Sequence, residues 1–312
     1  MSVFVLVPSY NHAPFVERTL RSIFAQTLRP KKLIVIDDGS KDESAEIIQR
    51  VLLDCPFENE FVRRENRGLC ATLNTGFARS EGEFFAYLGS DDVWLPEFLE
   101  KQVELLNRRP RALLAFAHAY VIDEQDRIID RTDNWSEFAD GDLLPTLLQG
   151  IIFSSPGVVY RRAALENHRW NENARLEDYE LYLKLAAVGE FARSEEILCG
   201  WRQHDRNTSG DTTLMLEEML AAQNSLAGEF RIGRAELEKI QKQVKFEAVF
   251  NFIRHGRRRE AAALFRENLG GASSVLQIGK MLFRFAVPQW IFQWNRQRKR
   301  RKAIGKYGKL EI

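Results

Sequence analysis

Cysteine is scarce in this 312-residue sequence, where it occurs only as Cys55, Cys70 and Cys199. Three widely spaced cysteines are too few for a disulfide framework or a thiolate metal cluster, so a reducing compartment is expected. The sequence also lacks the charged leader and cleavage site of a signal peptide, because it begins directly with the apolar segment 3–7. No apolar run approaches the roughly 20 residues that span a bilayer. These absences predict a cytoplasmic protein without a membrane-spanning helix.

Glycine is missing at the position where a nucleotide cofactor would require it. The first apolar segment is followed by Pro8-Ser9-Tyr10-Asn11. A dinucleotide-binding fold would place a glycine-rich turn there, so that a pyrophosphate could approach a helix N-terminus. A Walker-type phosphate loop is absent as well. Nicotinamide and flavin enzymes are therefore disfavoured, and so is a nucleotidyltransferase with a glycine-rich basic loop after its first strand.

Charge is distributed unevenly along the chain, although the net charge is only +1. Residues 296–312 hold eight Lys or Arg and a single acid, Glu311, so this segment carries +7 and the other 295 residues carry −6. The preceding residues 281–294 are rich in aromatic and aliphatic side chains. This order suits an interfacial anchor on an anionic membrane, and it equally suits a terminal helix that docks on the body with a solvated basic end. A nucleic-acid tail is not predicted, because the aromatics precede the basic run instead of alternating with it.

The sequence does contain a regular alternation of strand-like and helix-like segments. Apolar runs typical of buried strands occupy residues 3–7, 32–36 and 84–88, and amphipathic helical patterns lie between them. This alternation predicts the α/β class, with a mostly parallel sheet and crossover helices on its faces.

Further along, the pattern changes from mixed to helical. Strands are expected at 112–122, 127–130, 158–160 and 191–201, with a helix at 176–188 before the last of them. Beyond residue 210 the strand signal is weak. The predicted organisation is an α/β body at 1–210 and a helical region at 211–312, whose last part, 281–312, is the aromatic and basic tail.

Acidic residues follow two of the predicted strands. Asp37-Asp38-Gly39-Ser40 comes directly after 32–36, and Ser90-Asp91-Asp92 comes after 84–88. An open parallel sheet binds its ligand beyond the carboxyl ends of its strands, so these acids are candidate ligand contacts. Adjacent carboxylates suit a divalent cation such as Mg²⁺ or Mn²⁺ that is shared with substrate phosphates. Acids at such positions also cap helices and turns, and both interpretations stay open on these residues alone.

Together these segments resemble the inverting nucleotide-sugar glycosyltransferases of family 2, which have the GT-A fold. The resemblance spans about residues 2–208 and rests on the segments Val5 to Asn11, Ile34 to Asp42, Asn66-Arg67-Gly68 with Asn74 and Gly76, Ser90-Asp91-Asp92, and Glu177 to Leu181. It implies a Rossmann-like α/β fold, here followed by a C-terminal α-helical extension. The Gln-x-x-Arg-Trp motif and flanking membrane helices of the family's processive polymer synthases are missing. The resemblance therefore implies a non-processive bacterial type that adds a single sugar.

The family's donor-binding roles carry over to matching positions. Pro8 and Tyr10 correspond to the wall that packs on the nucleotide base, and Asp38 corresponds to the acid that accepts a hydrogen bond from a base N–H. Arg67 lies in the matching Asn-Arg-Gly segment and is a candidate substrate contact. The expected donor is a nucleoside-diphosphate sugar, with a UDP-sugar as the first candidate.

The resemblance gives the two acids after the 84–88 strand different roles. Asp91 matches the ribose contact, and Asp92 matches the ligand of a divalent metal, Mn²⁺ or Mg²⁺. Such a metal would bridge the diphosphate and neutralise the charge of the leaving group.

Inversion at the sugar carbon requires a base on the face opposite the nucleotide. Asp178 matches that position, with Glu177 as a neighbouring substrate contact, whereas acids that stabilise a helix N-terminus are the structural alternative.

The segment 201–204, followed by Asn207 and Ser209, matches a further family motif. Trp201 is a candidate substrate contact and Arg202 a candidate phosphate contact. His204 is a candidate second metal ligand or diphosphate contact, and a solvated surface histidine is the alternative. Trp94 and Trp170 are further candidates for stacking on sugar faces, although large aromatics more often belong to the core.

The resulting hypothesis is an inverting, metal-dependent glycosyltransferase of cell-surface polysaccharide or lipopolysaccharide biosynthesis. Its acceptor would be a glycan or a lipid-linked sugar, and the tail 281–312 would hold it peripherally on the cytoplasmic face of the membrane. No nucleic-acid partner is expected. The alternative is a non-catalytic nucleotide-sugar-binding or scaffold protein on the same fold.

Overall fold

The computed structural model describes residues 2–135, 140–205, 207 and 210–312. Within these residues, nine strands form one sheet. Numbered along the chain, the strands are β1 (Val3–Ser9), β2 (Lys32–Asp37), β3 (Glu58–Arg63), β4 (Phe84–Tyr87), β5 (Val93–Trp94), β6 (Ala112–Ile122), β7 (Ile128–Arg131), β8 (Val158–Arg161) and β9 (Glu190–Arg202).

Helices cover both faces of the sheet and make up most of the chain after β9. They are α1 (Val16–Phe24), α2 (Ser44–Leu52), α3 (Leu69–Ala78), α4 (Phe98–Arg108), α5 (Leu144–Leu147), α6 (Arg162–Glu166), α7 (Glu177–Val188), α8 (Thr212–Ser225), α9 (Arg234–Arg254), α10 (Arg258–Glu267), α11 (Val275–Ala286) and α12 (Gln289–Tyr307).

The sheet is mixed and mostly parallel, with the order β3-β2-β1-β4-β8-β6-β9-β5 and β7 paired to the outer part of β6. Strands β3, β2, β1 and β4 are parallel neighbours, as the alternating pattern predicts. Strand β8 runs antiparallel between β4 and β6, and β9 returns parallel to β6. The predicted α/β class with a mostly parallel sheet and a helical C-terminal region is confirmed.

Side-chain alternation along β1 explains why this strand is apolar throughout. Val3, Val5 and Val7 pack in one core with apolar residues of α1, α2 and α4. Phe4 and Leu6 pack in a second core on the opposite face, with residues of α3 and α7. Because both faces of the strand are covered, neither set of alternating positions tolerates polar residues.

The end of β9 near residue 202 does not end the main hydrophobic core. Ala222, Leu226, Phe230 and Leu237, from α8 to the start of α9, pack with the α3 and α7 side of the sheet. A smaller cluster follows, built on α9, α10 and α11 around Phe246, Phe252 and Met281. The predicted boundary at 210 lies between the end of β9 and the start of α8, and apolar packing continues across it.

The chain then comes back to the sheet. Leu310 packs with Val93, Ile122 and Ile128 beside β5, β6 and β7. In the described part of the chain, no helix combines the length and the apolar character that crossing a membrane requires.

Candidate active site

A cleft of about 590 Å³ opens at the carboxyl edge of the parallel strands. Residues that follow β1, β2 and β4 meet there with the first turn of α7, because parallel neighbours end at the same edge of a sheet. Its polar lining from these elements consists of Ser9, Tyr10, His12, Asp38, Ser90, Asp91, Asp92, Glu177 and Asp178. The other wall is formed by Trp135, Ile151, Ile152, Phe153, Ser154, Ser155, Trp201, His204, Asn207 and Met215.

Asp38, Pro8 and Tyr10, which the resemblance assigns to the nucleotide base, all line the cleft. Oδ1 of Asp38 accepts a hydrogen bond from Nε of Arg64 at 2.7 Å, and its Oδ2 accepts from the backbone N–H groups of Arg67 at 3.1 Å and Gly68 at 2.8 Å. The N–H of Arg67 is shared with Oδ1 at 3.2 Å, so each carboxylate oxygen receives two contacts from the protein. The side chain of Arg67 does not line the cleft, so its contribution to this site is the backbone N–H.

Gly39 allows this arrangement because its backbone lies in the left-handed region, at φ +81°. A Cβ at this position would lie 2.8 Å from the backbone nitrogen of Asn66. Any side chain here would push the turn after β2 away from the segment that donates to Asp38.

Asp91 lies between two histidines. Its Oδ2 is 3.0 Å from Nε2 of His204, and its Oδ1 is 3.7 Å from Nδ1 of His12. The ligand atoms of the three residues all lie within 4.8 Å of one another. Burial opposes ionisation of Asp91, but the hydrogen bond from His204 and the charges of both histidines outweigh it and lower the pKa of this carboxyl.

Gly89 completes the surroundings of this cluster. A Cβ there would lie 2.9 Å from Oδ1 of Asp91 and 3.4 Å from Oδ2 of Asp92, so the missing side chain leaves space for both carboxylates. The two imidazoles and one carboxylate of the cluster are donors that fit a divalent transition metal.

Asp92 is the metal ligand that the resemblance implies. It lines the cleft, but its Oδ1 accepts the backbone N–H of Arg202 at 2.7 Å, and it is not part of the cluster around Asp91. Burial, and then the charge of Asp91, raise its pKa well above the usual value. The group of possible metal ligands thus contains Asp91, to which the sequence assigned the ribose, and the assignment of the metal to Asp92 stays a prediction.

Arg202 is not the phosphate contact that the sequence predicts. The side chain is only 1% exposed. Its Nε donates to the backbone O of Asp91 at 2.6 Å, Nη1 to the backbone O of Asp123 at 2.7 Å, and Nη2 to Oδ1 of Asp126 at 2.7 Å. A guanidinium used in this way holds the protein together and has no face toward the cleft.

Asp178 stands on the first turn of α7, inside the cleft. The residue is 7% exposed, and no hydrogen-bond partner of its Oδ1 exists among the described residues. Burial, followed by the charge of Glu177, raises the pKa of Asp178 well above that of an ordinary aspartate. Glu177 also lines the cleft, and burial raises its pKa. Glu180, in contrast, pairs with Lys184 at 2.6 Å and accepts from Asn171 at 2.8 Å.

Among the tryptophans, Trp201 lines the cleft and meets Trp135 edge to face, with ring centroids 5.8 Å apart. Trp94 and Trp170, the other candidates for sugar stacking, are core residues. Trp94 is fully buried and donates from Nε1 to the backbone O of Pro156, and Trp170 packs among Phe77, Phe85 and aromatic neighbours. Ser209 lies outside the described residues.

Sequence reasoning missed His12, Ser90, Trp135 and the segment 151–155. The signal for His12 was available, because it follows β1 by three positions and so lies at the same sheet edge as Asp38. Its Nδ1 lies 2.8 Å from Oγ of Ser90, which fixes the ring next to Asp91. The segment 151–155 has no strand or catalytic pattern that would have identified it.

Comparison with known proteins identifies the group to which this arrangement belongs. The model of the family described as glycosyl transferase family 2 matches residues 4–169 of this chain. An uncharacterized glycosyltransferase of Nostoc sp. is 32% identical over 170 residues, which are 53% of this chain and 52% of that protein. The chondroitin synthase of Escherichia coli is 26% identical over 208 residues, or 66% of this chain and 30% of that protein. The chain thus spans about half of the first relative and less of the second.

Solved structures with the same fold include the Staphylococcus aureus protein TarS and an archaeal mannosyltransferase. TarS residues 1–349, in complex with UDP-GlcNAc, superimpose with a TM-score of 0.64 at 16% identity, covering 100% of this chain and 93% of that one. The mannosyltransferase PcManGT of Pyrobaculum calidifontis, in complex with GDP-Man and Mn²⁺, gives 0.63 at 18% identity, covering 97% and 86%. These likenesses show the GT-A fold, and the match over 4–169 shows that the chain belongs to glycosyl transferase family 2.

Proposed function

We propose that this protein transfers a sugar from a nucleoside-diphosphate donor to an acceptor hydroxyl, with inversion at the anomeric carbon. The observation that carries this proposal is the buried carboxylate of Asp178, which lies in the same cleft as the cluster of Asp91, His12 and His204 and whose Oδ1 has no hydrogen-bond partner among the described residues. A base and a candidate diphosphate-binding corner within one cleft are the two parts that an in-line displacement requires.

In this reaction the acceptor oxygen bonds to the anomeric carbon while the bond from that carbon to the diphosphate oxygen breaks. The acceptor hydroxyl loses its proton to Asp178, and the bonding electrons leave with the nucleoside diphosphate. Because the pKa of Asp178 is raised, its ionised form is a stronger base than an exposed aspartate. Glu180 is unsuited to this role, since Lys184 and Asn171 already occupy its carboxylate.

The donor would bind beside the ends of β1 and β2. Tyr10 is 42% exposed and supplies a ring on which a base can stack, with Pro8 next to it. Asp38 lines the same cleft, and a carboxylate there suits a base N–H, as in a uracil or guanine. The nucleotide-sugar complexes of TarS and PcManGT support a donor of this class.

A divalent metal fits the cluster of His12, Asp91 and His204, and when bound it would supply Lewis-acid stabilisation of the leaving diphosphate. The three side chains would hold the ion at the end of β4, next to Ser90, whose Oγ lies 2.8 Å from Nδ1 of His12. Two imidazole donors favour Mn²⁺ over Mg²⁺, which prefers oxygen ligands in regular octahedral geometry. The Mn²⁺ in the PcManGT complex is consistent with that preference.

The acceptor would approach from the wall that contains Trp135 and Trp201. Two tryptophans in edge-to-face contact give flat apolar surfaces of the kind on which sugar rings stack. A glycan or a lipid-linked sugar of cell-surface polysaccharide or lipopolysaccharide biosynthesis is the acceptor class that we propose.

An anionic membrane is the proposed binding partner of the outer face of α12. On this face Trp290 and Trp294 are 64% and 53% exposed, and Arg298, Arg301 and Lys302 line a shallow groove with Trp294. Exposed tryptophans next to cations complement the interface of a bilayer with anionic lipids. The enzyme would then work peripherally on the cytoplasmic face, where lipid-linked acceptors are accessible.

The direct test is a thermal-shift and calorimetric screen of nucleoside-diphosphate sugars, with Mn²⁺, with Mg²⁺ and with neither. A ligand of the native state raises the melting temperature, and the effect should be largest for one nucleotide with Mn²⁺. Failure of every nucleotide sugar to bind would contradict the proposal. Binding without transfer to any acceptor, or an Asp178→Asn variant as active as the wild type, would favour the non-catalytic alternative.

A further inference from the structure

The turn between β6 and β7 connects the active site to the C-terminal helix. Asp123 and Asp126 lie in this turn, and both bind the guanidinium of Arg202. From the other side, Arg300 of α12 donates to Oδ2 of Asp123 at 2.7 Å, and the backbone N–H of Leu310 donates to the backbone O of Asp126 at 2.8 Å.

Several contacts hold the segment 307–310 on this turn. The backbone O of Gly308 accepts from Ile128, and Lys309 forms an isolated bridge with Arg127. The hydroxyl of Tyr307 accepts from Arg131 at 3.0 Å. This segment therefore docks as an additional edge beside β7, even though it is separated from β7 by more than 170 residues of sequence.

Arg18 of α1 ties the same parts together from the opposite side. Its Nε lies 3.1 Å from Oδ2 of Asp126, and its guanidinium also donates to the backbone O of Leu310. The leucine side chain is 5% exposed and packs where Gly200 leaves space, since a Cβ on that glycine would lie 2.7 Å from it. Leu310 is thus held by backbone and side chain next to the end of β9.

On the active-site side, Arg202 is the connecting residue. Its backbone N–H donates to Oδ1 of Asp92, and its Nε donates to the backbone O of Asp91. Asp91 and Asp92 are therefore both held by one arginine, whose other two donors depend on the 123–127 turn. If that turn moves, Arg202 loses the partners that hold its guanidinium in place.

We propose that Arg300 and Leu310 are positioning residues, which hold the Asp91–Asp92 corner in its binding geometry through the 123–127 turn and Arg202. The reaction itself involves neither residue. The contact between Arg300 and Asp123 depends on the charge of Asp123. Although burial opposes its ionisation, hydrogen bonds from Arg127 and Arg300 lower the pKa of Asp123 to about 2, so this contact stays ionic at neutral pH.

The first arm of the test needs no ligand. Backbone amide exchange of Arg202 and Gln203 is measured in full-length Arg300→Ala and Leu310→Ala, because these amides donate to Asp92 and to the backbone O of Ile122. The expected result is exchange at least about five-fold faster than in the wild type, a typical coupling between connected sites. Arg300→Lys should restore most of the protection, since it keeps a cation beside Asp123.

The second arm rests on the proposed function and measures the Kd of UDP with Mn²⁺ by calorimetry. Weakening by about five-fold or more is expected in Arg300→Ala and Leu310→Ala, with a melting temperature that leaves both variants folded. Lys299→Ala is the matched control, because this neighbouring cation of α12 is exposed and should behave as wild type. Unchanged exchange in the Arg300 and Leu310 variants, or an equal effect of Lys299→Ala, overturns the inference. A wild type that binds no nucleotide counts against the proposed function alone, since amide exchange still decides the positioning role.

Discussion

At the scale of single residues, Asp178 combines two properties that oppose each other. A carboxylate that is buried without a partner for one oxygen destabilises the folded protein once it ionises, and the same environment makes it a good base. Residues at functional sites are often kept at such a cost to stability. Asp178→Asn, which removes the base, should therefore raise the free energy of unfolding at a pH where Asp178 is ionised.

Asp178→Asn should lower the transfer rate by roughly 10²-fold to 10⁴-fold, the usual range for loss of a general base. Donor affinity should stay within about two-fold of the wild type, because the amide fills the same space. Initial rates and calorimetry measure the two effects. Glu180→Gln is the matched control on the same helix and should retain activity, because its carboxylate is already paired with Lys184. An inactive Glu180→Gln with an active Asp178→Asn would exchange the roles of the two residues.

The pH dependence follows from the raised pKa of Asp178. The base must be ionised to accept a proton, so kcat/KM should rise with pH through a pKa above that of a free carboxyl group. In the folded protein this group binds its proton more tightly than in the unfolded chain. The free energy of unfolding should consequently fall as pH rises from the unfolded pKa through the folded pKa. Urea unfolding at pH 5 and pH 8 should show this decrease in the wild type and a smaller one in Asp178→Asn.

A variant of His12 distinguishes a metal site at His12, Asp91 and His204 from the sequence-based assignment of the metal to Asp92. His12→Ala should abolish most of the Mn²⁺-dependent gain in nucleotide affinity, whereas nucleotide binding without metal should change little. Calorimetry with and without Mn²⁺ measures this difference. His255→Ala is the control, because His255 lies at the end of α9 and bonds to Asn251. A full metal effect in His12→Ala together with its loss in Asp92→Asn would restore the sequence-based assignment to Asp92.

At the scale of elements, the turn after β2 decides whether Asp38 is held in the cleft. Gly39 brings this turn against residues 64–66, so that Arg64, Arg67 and Gly68 can all donate to the carboxylate. The helix α3 begins directly after these donors. One glycine thereby sets the position of a binding residue and of the start of a helix.

Gly39→Ala and Gly256→Ala form a matched pair for testing this turn. Both glycines are left-handed, at φ +81° and +80°, and alanine should cost each about 1–2 kcal/mol. Only at Gly39 would the new Cβ meet backbone at 2.8 Å, whereas at Gly256 it meets a side chain at 3.7 Å. Chemical denaturation should therefore show a larger loss for Gly39→Ala, accompanied by weaker nucleotide binding. Equal losses with unchanged nucleotide affinity would mean that the close approach to Asn66 is unimportant.

At the scale of the whole molecule, the C-terminal helix α12 has two distinct surfaces. One side of α12 holds the 123–127 turn through Arg300, and the outer face carries Trp290, Trp294 and the basic groove. Deleting 281–312 would remove both surfaces together. Point substitutions are needed to separate membrane binding from support of the active site.

Membrane binding should depend on the outer face of α12 and on salt. Trp290→Ala with Trp294→Ala should abolish co-sedimentation with vesicles that contain anionic lipid, and the wild type should release at 1 M salt, where the screening length falls to about 3 Å. Leu53→Ala is the control, since Leu53 is an 85% exposed apolar residue directly after α2. A wild type that never co-sediments, or binding that persists in the tryptophan double variant, would contradict the assignment of this face.

The sequence by itself determined the α/β alternation and the positions of the acids at the ends of β2 and β4. Periodicity is local, because the side chains of a strand alternate and those of a helix recur every three or four residues, so each element could be identified from a few neighbours. The place of Asp38 follows from this alternation, since residues after parallel strands lie at the ligand-binding edge of the sheet. Asp178 was assigned through the resemblance to the family, because an acid in the first turn of a helix does not by itself indicate a base.

Only the tertiary structure decided which of the candidate residues lie together in the cleft and which are buried in other contacts. His12, Asp91 and His204 are far apart in the sequence and meet because β9 ends beside β5 and β6, next to the turn that follows β1. Arg202 looks like a phosphate contact in the sequence, yet packing against Asp123, Asp126 and Phe15 buries it. The contacts of a cation depend on which acceptors lie near it in space. For Arg202 these acceptors come from chain segments more than 70 residues away in sequence. The positions of those segments depend on strand register and long-range packing.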